Sequence, residues 1–251
     1  MPDTFKQFLR LCLFFLPLAG TQFSTSSEAR PSALSKKDAN LYKKAFEAAH
    51  SRNFSLAIRL ATKAKNPLPA KAIKWIYLKE PRTSASFKDI AYFLERNPSW
   101  PLRRYLIRRA EEKFPKNLAP AAVLSWFEKY PPISGIANSR KAQALIDTGQ
   151  VQRAKSLLKR AWINKDFGRK EARSFLKKFG KYISAREHAK RLDRLLWDEK
   201  IFAARRQLRL VSRERQYLGL ARIQLIRRGP GVDYAVRKVP KNLKSDPGLI
   251  Y

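Results

Sequence analysis

The chain is poor in cysteine and histidine, the side chains on which many metal sites and many catalytic sites depend. Its one cysteine is Cys12, and its two histidines are His50 and His188. No His-x-x-x-His pair is present, so a zinc site would need carboxylates for its remaining ligands. Cys12 lies in a segment that we expect to be removed, which would leave a mature chain without a disulfide, a cysteine nucleophile or a cysteine-ligated metal. We therefore expect no metal and no other cofactor.

Acidic residues are also scarce. Lysine and arginine number 54 against 20 aspartates and glutamates, which gives a formal net charge of +34 and an isoelectric point near 10.8. A hydrophobic content of 44% with 12% aromatic residues supports a folded core and argues against a disordered basic tail. Such a charge predicts binding to polyanions. The alternative is a solvated basic surface with no dedicated partner.

Motifs that carry covalent chemistry are missing from the sequence. It contains no glycine-rich phosphate loop, no G-x-S-x-G elbow and no cluster of histidine with carboxylates. Glycoside cleavage needs a carboxyl group of raised pKa, but Glu95, Glu128 and Glu199 lie in charge-rich helical contexts typical of surface salt bridges. His188 lies on an apolar stripe and is predicted to be a core histidine. We predict no catalytic residue in this chain.

The first 29 residues have the order of a secretory signal peptide. Lys6 and Arg10 precede an apolar block at residues 11–20, and small polar residues then lead to Ala29. The block is about half the roughly 20 residues that a membrane-spanning helix needs. A mitochondrial transit peptide is disfavoured because the block is uniformly apolar and Asp3 lies near its start. We expect residues 1–29 to be cleaved, leaving an exported domain of residues 30–251 with no integral membrane segment.

Beyond residue 35, apolar side chains recur at helical spacing with basic residues on the other faces. Residues 151–162 predict one amphipathic helix, and Ser184 with Glu187 predicts the capped start of another. Further helices are predicted to run from Ser86 to Asn97, to begin with Pro101 in the first turn, and to cover residues 201–211. The expected buried side chains of the last two are Leu102, Tyr105, Leu106 and Ala110, and then Ile201, Ala204, Leu208 and Val211.

Short breaks at glycine and proline separate about a dozen such helices, and no convincing alternating β-pattern is present. Short helices joined by tight turns predict an all-α fold, an α-solenoid or superhelix of antiparallel helix pairs. Residues 142–162 and 45–64 each have the helix-turn-helix pattern of a tetratricopeptide unit.

Two arginine clusters are candidates for binding an anionic ligand. Arg205, Arg209 and Arg213 recur every four residues with Arg206 alongside, so they would lie along one face of a single helix. Like charges at that spacing repel each other, and either acids from a neighbouring helix or an anionic ligand should offset the repulsion. The second cluster consists of Arg103, Arg104, Arg108 and Arg109.

Several strings together resemble the N-terminal helical region of alphaproteobacterial soluble lytic murein transglycosylases. They are AWINKDF at residues 161–167, RLDRLLWD at 191–198, NPSWP at 97–101 and DPGL at 246–249. The resemblance runs from about residue 37 to the last residue. It implies a periplasmic protein of a Gram-negative bacterium that takes part in peptidoglycan turnover. It also implies that Trp162, Phe167 and Trp197 are core residues and that His188 is a buried or capping group.

In that family a lysozyme-like domain with a catalytic Glu-Ser-x-Phe motif follows the helical region. No glutamate of this chain is followed by serine, so we expect a non-catalytic helical part that associates with peptidoglycan or another anionic envelope polymer. A separate catalytic domain or protein is a possible partner. The alternative is a periplasmic helical-repeat scaffold that binds protein partners, and export argues against nucleic acid.

Overall fold

A computed structural model describes residues 34–250 of the chain. The predicted signal peptide, residues 1–29, lies outside the described residues. Within residues 34–250 all regular secondary structure is helical, with fourteen α-helices, three 3-10 turns and no strand. The α-helices are α1 (Lys36–His50), α2 (Phe54–Ala61), α3 (Leu68–Lys79), α4 (Phe87–Arg96), α5 (Arg103–Glu112), α6 (Pro120–Lys129), α7 (Gly135–Asp147), α8 (Val151–Asn164), α9 (Arg169–Phe179), α10 (Ala185–Trp197), α11 (Ile201–Gln207), α12 (Arg213–Arg227), α13 (Val232–Arg237) and α14 (Pro247–Ile250).

The chain divides into two compact units after Ala70, within the first turn of α3. In the first unit, α1 packs against α2, and the Asn53 side chain caps α2 by accepting a hydrogen bond from the Leu56 N–H at 3.2 Å. The Asp38 carboxylate accepts hydrogen bonds from the backbone N–H groups of Lys65 and Asn66, both at 3.1 Å. The predicted helix-turn-helix at residues 45–64 is confirmed.

In the second unit, helices pack mainly against their neighbours in sequence. The pairs are α4 with α5, α6 with α7, α7 with α8, α10 with α11, and α12 with α13. Helix α8 also packs against α10. The all-α, helical-repeat prediction is therefore confirmed. The turn between α7 and α8 contains Gly149 at φ +76°, a conformation that glycine adopts without steric cost.

Helix starts follow the local signals in the sequence. The Ser86 hydroxyl accepts a hydrogen bond from the Asp89 N–H at 3.1 Å, and the Asp89 carboxylate accepts one from the Ser86 N–H at 2.9 Å. At α10 the Glu187 carboxylate accepts hydrogen bonds from the backbone N–H and the hydroxyl of Ser184, at 2.8 and 2.5 Å. The predicted helix start at Ser86 and the predicted capped start at Ser184 are both confirmed.

Two predicted helices differ from the structure. Helix α5 begins at Arg103 because Leu102 takes a left-handed conformation at φ +55°, and both Leu102 and Tyr105 are exposed rather than buried. The predicted helix over 201–211 ends at Gln207. A 3-10 turn over Leu208–Leu210 follows, Val211 is extended, and Ser212 caps the start of α12.

The core between α8, α9 and α10 is aromatic. Trp162 is buried and stacks on Phe175 with ring centroids 5.0 Å apart, and Phe167 lies 5.6 Å from Trp162. The prediction of core roles is confirmed for Trp162 and Phe167. It is wrong for Trp197, which ends α10 with 49% of its surface exposed.

Candidate functional site: an arginine-lined groove

A groove of about 490 Å³ lies between α9, α10 and α11 in the second unit. Its lining contains an unusual set of basic side chains: Arg169, Arg173, Arg191, Arg205, Arg206 and Arg209. No aspartate or glutamate is among the described residues that line it. We call this feature the arginine groove.

The first predicted arginine cluster contributes to the groove in part. Arg205 and Arg206 lie in α11, and Arg209 lies in the 3-10 turn that follows, so the chain turns between them. Arg213 lies in the first turn of α12 and does not line the groove; its Nε donates a hydrogen bond to Tyr217 Oη at 3.1 Å. The expectation of four arginines along one helix face is wrong because the helix ends at Gln207.

The second predicted cluster is divided between structural contacts and the solvent-exposed surface. Arg109 is buried, and its guanidinium donates to the Glu112 carboxylate at 2.5 Å and to the carbonyl oxygens of Glu80 and Pro81 at 3.2 Å. Arg103 Nη1 donates to the Leu94 carbonyl at 2.9 Å. Arg104 and Arg108 are exposed. Arg103 and Arg109 therefore make contacts that stabilise the fold.

Arg191 forms the floor of the groove. It is buried, and its Nη1 donates to the carbonyl oxygens of Trp162 and Lys165, the latter at 2.9 Å. Its guanidinium lies 4.3 Å from the Trp162 ring centroid and 5.2 Å from that of Phe167. Burial, followed by repulsion from Arg194, lowers the pKa of Arg191 to about 10. Its contacts place a fixed positive charge beneath the exposed arginines.

The rest of the RLDRLLWD string also stabilises this part of the structure. Arg194 Nε donates to the Ile163 carbonyl at 3.0 Å, and its Nη1 pairs with Asp166 and Asp198 at 2.8 Å. Lys200 Nζ contacts the same two carboxylates at 2.7 and 3.1 Å. The Arg194 hydrogen bond lowers the pKa of Asp198. Arg191 and Arg194 together satisfy the last carbonyls of α8, where positive charge is favourable.

His188 supports the aromatic core beside the groove. Its Nδ1 accepts a hydrogen bond from Trp162 Nε1 at 3.2 Å, and Gln207 Nε2 lies 3.1 Å from the same atom. Gln207 Nε2 also donates to the His188 carbonyl at 3.1 Å. Because Nδ1 accepts, the neutral ring carries its proton on Nε2. Burial lowers the pKa of His188, which favours this neutral form. His188 is half-buried and hydrogen-bonded into the aromatic core, so the predicted core role is confirmed only in part.

The electrostatics of the groove suit an anion. Arg205, Arg206 and Arg209 are exposed, and no ion pair engages them within residues 34–250. Phe202 adds an aromatic side chain that is 81% exposed. Planar guanidinium groups bind carboxylates and phosphates through paired hydrogen bonds. The arrangement of the groove therefore suits carboxylate or phosphate groups.

The three glutamates considered as candidate acids lie at the surface of the protein. Glu95 pairs with Lys129 at 3.0 Å, as predicted for a surface salt bridge. Glu128 and Glu199 are exposed.

Among the described residues, no group of three or more histidine, cysteine and carboxylate side chains is placed to hold a metal ion. No described helix is both long and apolar enough to cross a lipid bilayer.

Comparison with protein families, curated proteins and solved structures finds no match for this chain. The class that the geometry defines is an all-α helical-repeat protein with an arginine-lined groove.

Sequence reasoning missed three members of the groove, Arg169, Arg173 and Arg191. Arg169 and Arg173 come from α9, some 30 residues before Arg205, so only tertiary structure brings them together. The sequence did contain an indication that Arg191 is buried. It lies three residues after His188, on the apolar stripe of α10, where an arginine must find buried partners.

Proposed function

We propose that this chain is a non-catalytic helical-repeat protein of the periplasm that associates with peptidoglycan through the arginine groove. The observation that carries the proposal is the convergence of five exposed arginines and buried Arg191 on a groove where none of the described lining residues is acidic. Peptidoglycan carries carboxylates on its stem peptides and on muramic acid, which are suitable partners for guanidinium groups. The resemblance to the helical region of lytic transglycosylases supports this choice of polymer and a role in its turnover.

The electrostatics also support a partner of high charge density. Five exposed guanidinium groups around one groove repel one another. A polymer with several anionic groups would offset that repulsion along the whole length of the groove. A separate catalytic domain or protein would supply the chemistry that this chain lacks motifs for. The arginine groove would then hold the glycan while the partner cleaves it.

Sedimentation with insoluble peptidoglycan sacculi tests the proposal. The groove variant combines four substitutions: Arg173→Gln, Arg205→Gln, Arg206→Gln and Arg209→Gln. The control variant removes the same charge from exposed lysines of the first unit: Lys37→Gln, Lys43→Gln, Lys44→Gln and Lys63→Gln. We expect the wild-type protein to pellet at low salt and to be released as salt rises, since exposed charges are screened over about 8 Å at physiological ionic strength.

The groove variant should bind at least about tenfold more weakly than the control variant, because one charge-assisted hydrogen bond accounts for about 1.5–3 kcal/mol. Amidation of the sacculus carboxylates should abolish wild-type binding. Equal losses in the two variants would show that diffuse net charge is responsible and would contradict a groove site. Failure of the wild-type protein to pellet at low salt would contradict the association with peptidoglycan.

A further inference from the structure

A second cleft, separate from the arginine groove, surrounds the exposed Trp197. It has a volume of about 620 Å³ and lies between α10 and α12. Trp197 and Arg191 lie on different sides of α10, since Arg191 lines the groove and Trp197 lines this cleft. At 49% exposure, Trp197 is the large aromatic side chain that the cleft presents to solvent. We call this feature the Trp197 cleft.

The indole of Trp197 is held in a fixed position. The buried guanidinium of Arg222 lies over its ring, 4.9 Å from the centroid. Arg222 Nη1 is itself bonded to Asp193 at 2.6 Å and lies 3.4 Å from the Asp246 carboxylate. At Gly248 a Cβ atom would lie 2.2 Å from Arg222 Nε, so only glycine permits this packing. The ring is thus a partly preorganised platform, and ordering it adds little to the cost of binding.

The surroundings of the platform are amphipathic. Leu192, Leu196 and Leu218 line the cleft with apolar surface. Three exposed basic side chains also line it: Arg186, Lys190 and Arg215. An apolar and aromatic cavity of 300–1,000 Å³ with a few placed polar groups is typical of a small-ligand site.

Two carboxylates distinguish this cleft from the arginine groove. Asp193 and Asp246 line it while they hold Arg222. Their oxygens can accept hydrogen bonds from hydroxyl groups, but they would repel a chain of phosphates. This combination favours a hydroxyl-rich ring with a single negative charge over a nucleic acid.

We propose that the Trp197 cleft binds a saccharide that carries a carboxylate. The apolar face of a sugar ring packs on the indole, its hydroxyl groups donate to the carboxylate side chains, and its carboxylate pairs with Arg186, Lys190 or Arg215. The identification of this saccharide with the peptidoglycan glycan rests on the proposed function. The binding of an acidic sugar stands on the cleft alone.

Calorimetric titration of the full chain tests the inference with three probes. They are a hexasaccharide of alternating N-acetylglucosamine and glucuronic acid, an N-acetylglucosamine hexamer, and a thymidine hexanucleotide. We expect the acidic saccharide to bind about tenfold more tightly than the neutral one, which corresponds to one charge-assisted contact. The acidic saccharide should also protect Trp197 from collisional quenching by acrylamide. Tighter binding of the oligonucleotide than of either sugar to the groove variant, in which four arginines of the arginine groove are replaced, would overturn the saccharide assignment.

Variants locate the site. Trp197→Ala should lose saccharide binding at least tenfold, and Trp197→Phe should retain part of it because a flat aromatic face remains. Tyr92→Ala is the matched control, since Tyr92 is 59% exposed and has the Arg96 guanidinium 4.7 Å from its ring centroid, but lies in α4. The combined substitution Arg186→Gln, Lys190→Gln and Arg215→Gln should remove the preference for the acidic sugar. Unchanged binding in both Trp197 variants would overturn the proposal.

The two proposals fail independently. The groove variant should bind the acidic saccharide like the wild-type protein while losing sacculus binding. Loss of saccharide binding in the groove variant would mean that the acidic sugar occupies the arginine groove, which would overturn the Trp197 cleft as its site. Loss of sacculus binding alone leaves the cleft in place.

Discussion

Arg191 shows how a charged side chain can be part of a core. Its guanidinium satisfies two carbonyl oxygens at the end of α8 and covers the Trp162 ring. We predict that Arg191→Met lowers the free energy of unfolding by about 2–4 kcal/mol, because a carbonyl left buried and unpaired costs about 1–3 kcal/mol. The relief of a buried charge offsets part of this loss. Urea denaturation measures the change.

Arg205→Met is the matched control for that prediction. Arg205 is exposed, so the same substitution there should change the free energy of unfolding by no more than about 0.5 kcal/mol. A loss in Arg191→Met as small as that expected for Arg205→Met would mean that the contacts of Arg191 contribute little to stability.

His188 makes stability depend on pH in a defined direction. Burial lowers its pKa in the folded protein, and Nδ1 must stay unprotonated to accept from Trp162 Nε1. Between the lowered folded pKa and about pH 6.5, the unfolded chain therefore binds a proton that the folded one does not. Stability from this group is present above that pH and is lost as the pH falls through the lowered folded pKa.

We predict that His188→Asn removes this acid-sensitive part of stability, since an asparagine oxygen can accept at the position of Nδ1 and does not titrate. The wild-type protein should be more stable than the variant at pH 7.5, and the difference should shrink by pH 5.5, as measured by urea denaturation. His50 is exposed and is present in both proteins, so it contributes equally to both measurements. A difference that stays constant with pH would contradict the assignment.

At the scale of helices, the starts were predictable because capping is local. Ser86 and Asp89 lie three residues apart, and that spacing is enough to define the first turn of α4. We predict that Ser86→Ala costs about 1 kcal/mol in free energy of unfolding, since the Asp89 N–H loses its acceptor. Ser125→Ala on the exposed side of α6 should be neutral or slightly stabilising, because alanine favours helix interiors. Thermal and urea unfolding of the two variants check this.

Helix ends and breaks set by tertiary contacts could not be predicted in the same way. The 201–211 segment has helical periodicity, but the Gln207 side chain bonds to His188 in α10 and the chain turns after it. The same turn carries Arg209 towards the groove and leaves Arg213 outside it. Arg205 and Arg206 could be found from sequence as a basic cluster, but their alignment with Arg169 and Arg173 depends on the packing of α9.

Across the whole molecule, positive charge is distributed over the chain and is also concentrated in the arginine groove. The chain has a formal net charge of +34, so self-repulsion acts on the folded state everywhere. In the arginine groove it acts at short range, where the described lining offers no compensating acid. Repulsion between the groove arginines lowers the stability of the folded protein, and a bound anion would relieve it. Functional sites often lower the stability of a protein in this way.

This argument predicts that the groove variant is more stable than the wild-type protein at low salt, by roughly 0.2–0.5 kcal/mol for each close pair of like charges removed. The lysine control variant loses the same net charge from side chains outside the groove, so its gain should be smaller. At about 1 M salt, where screening acts over roughly 3 Å, the difference between the two variants should vanish. Urea denaturation at 10 mM and 1 M sodium chloride measures both differences. Equal gains at low salt would mean that the groove arginines repel one another no more than dispersed lysines do, and that their convergence is not electrostatically strained.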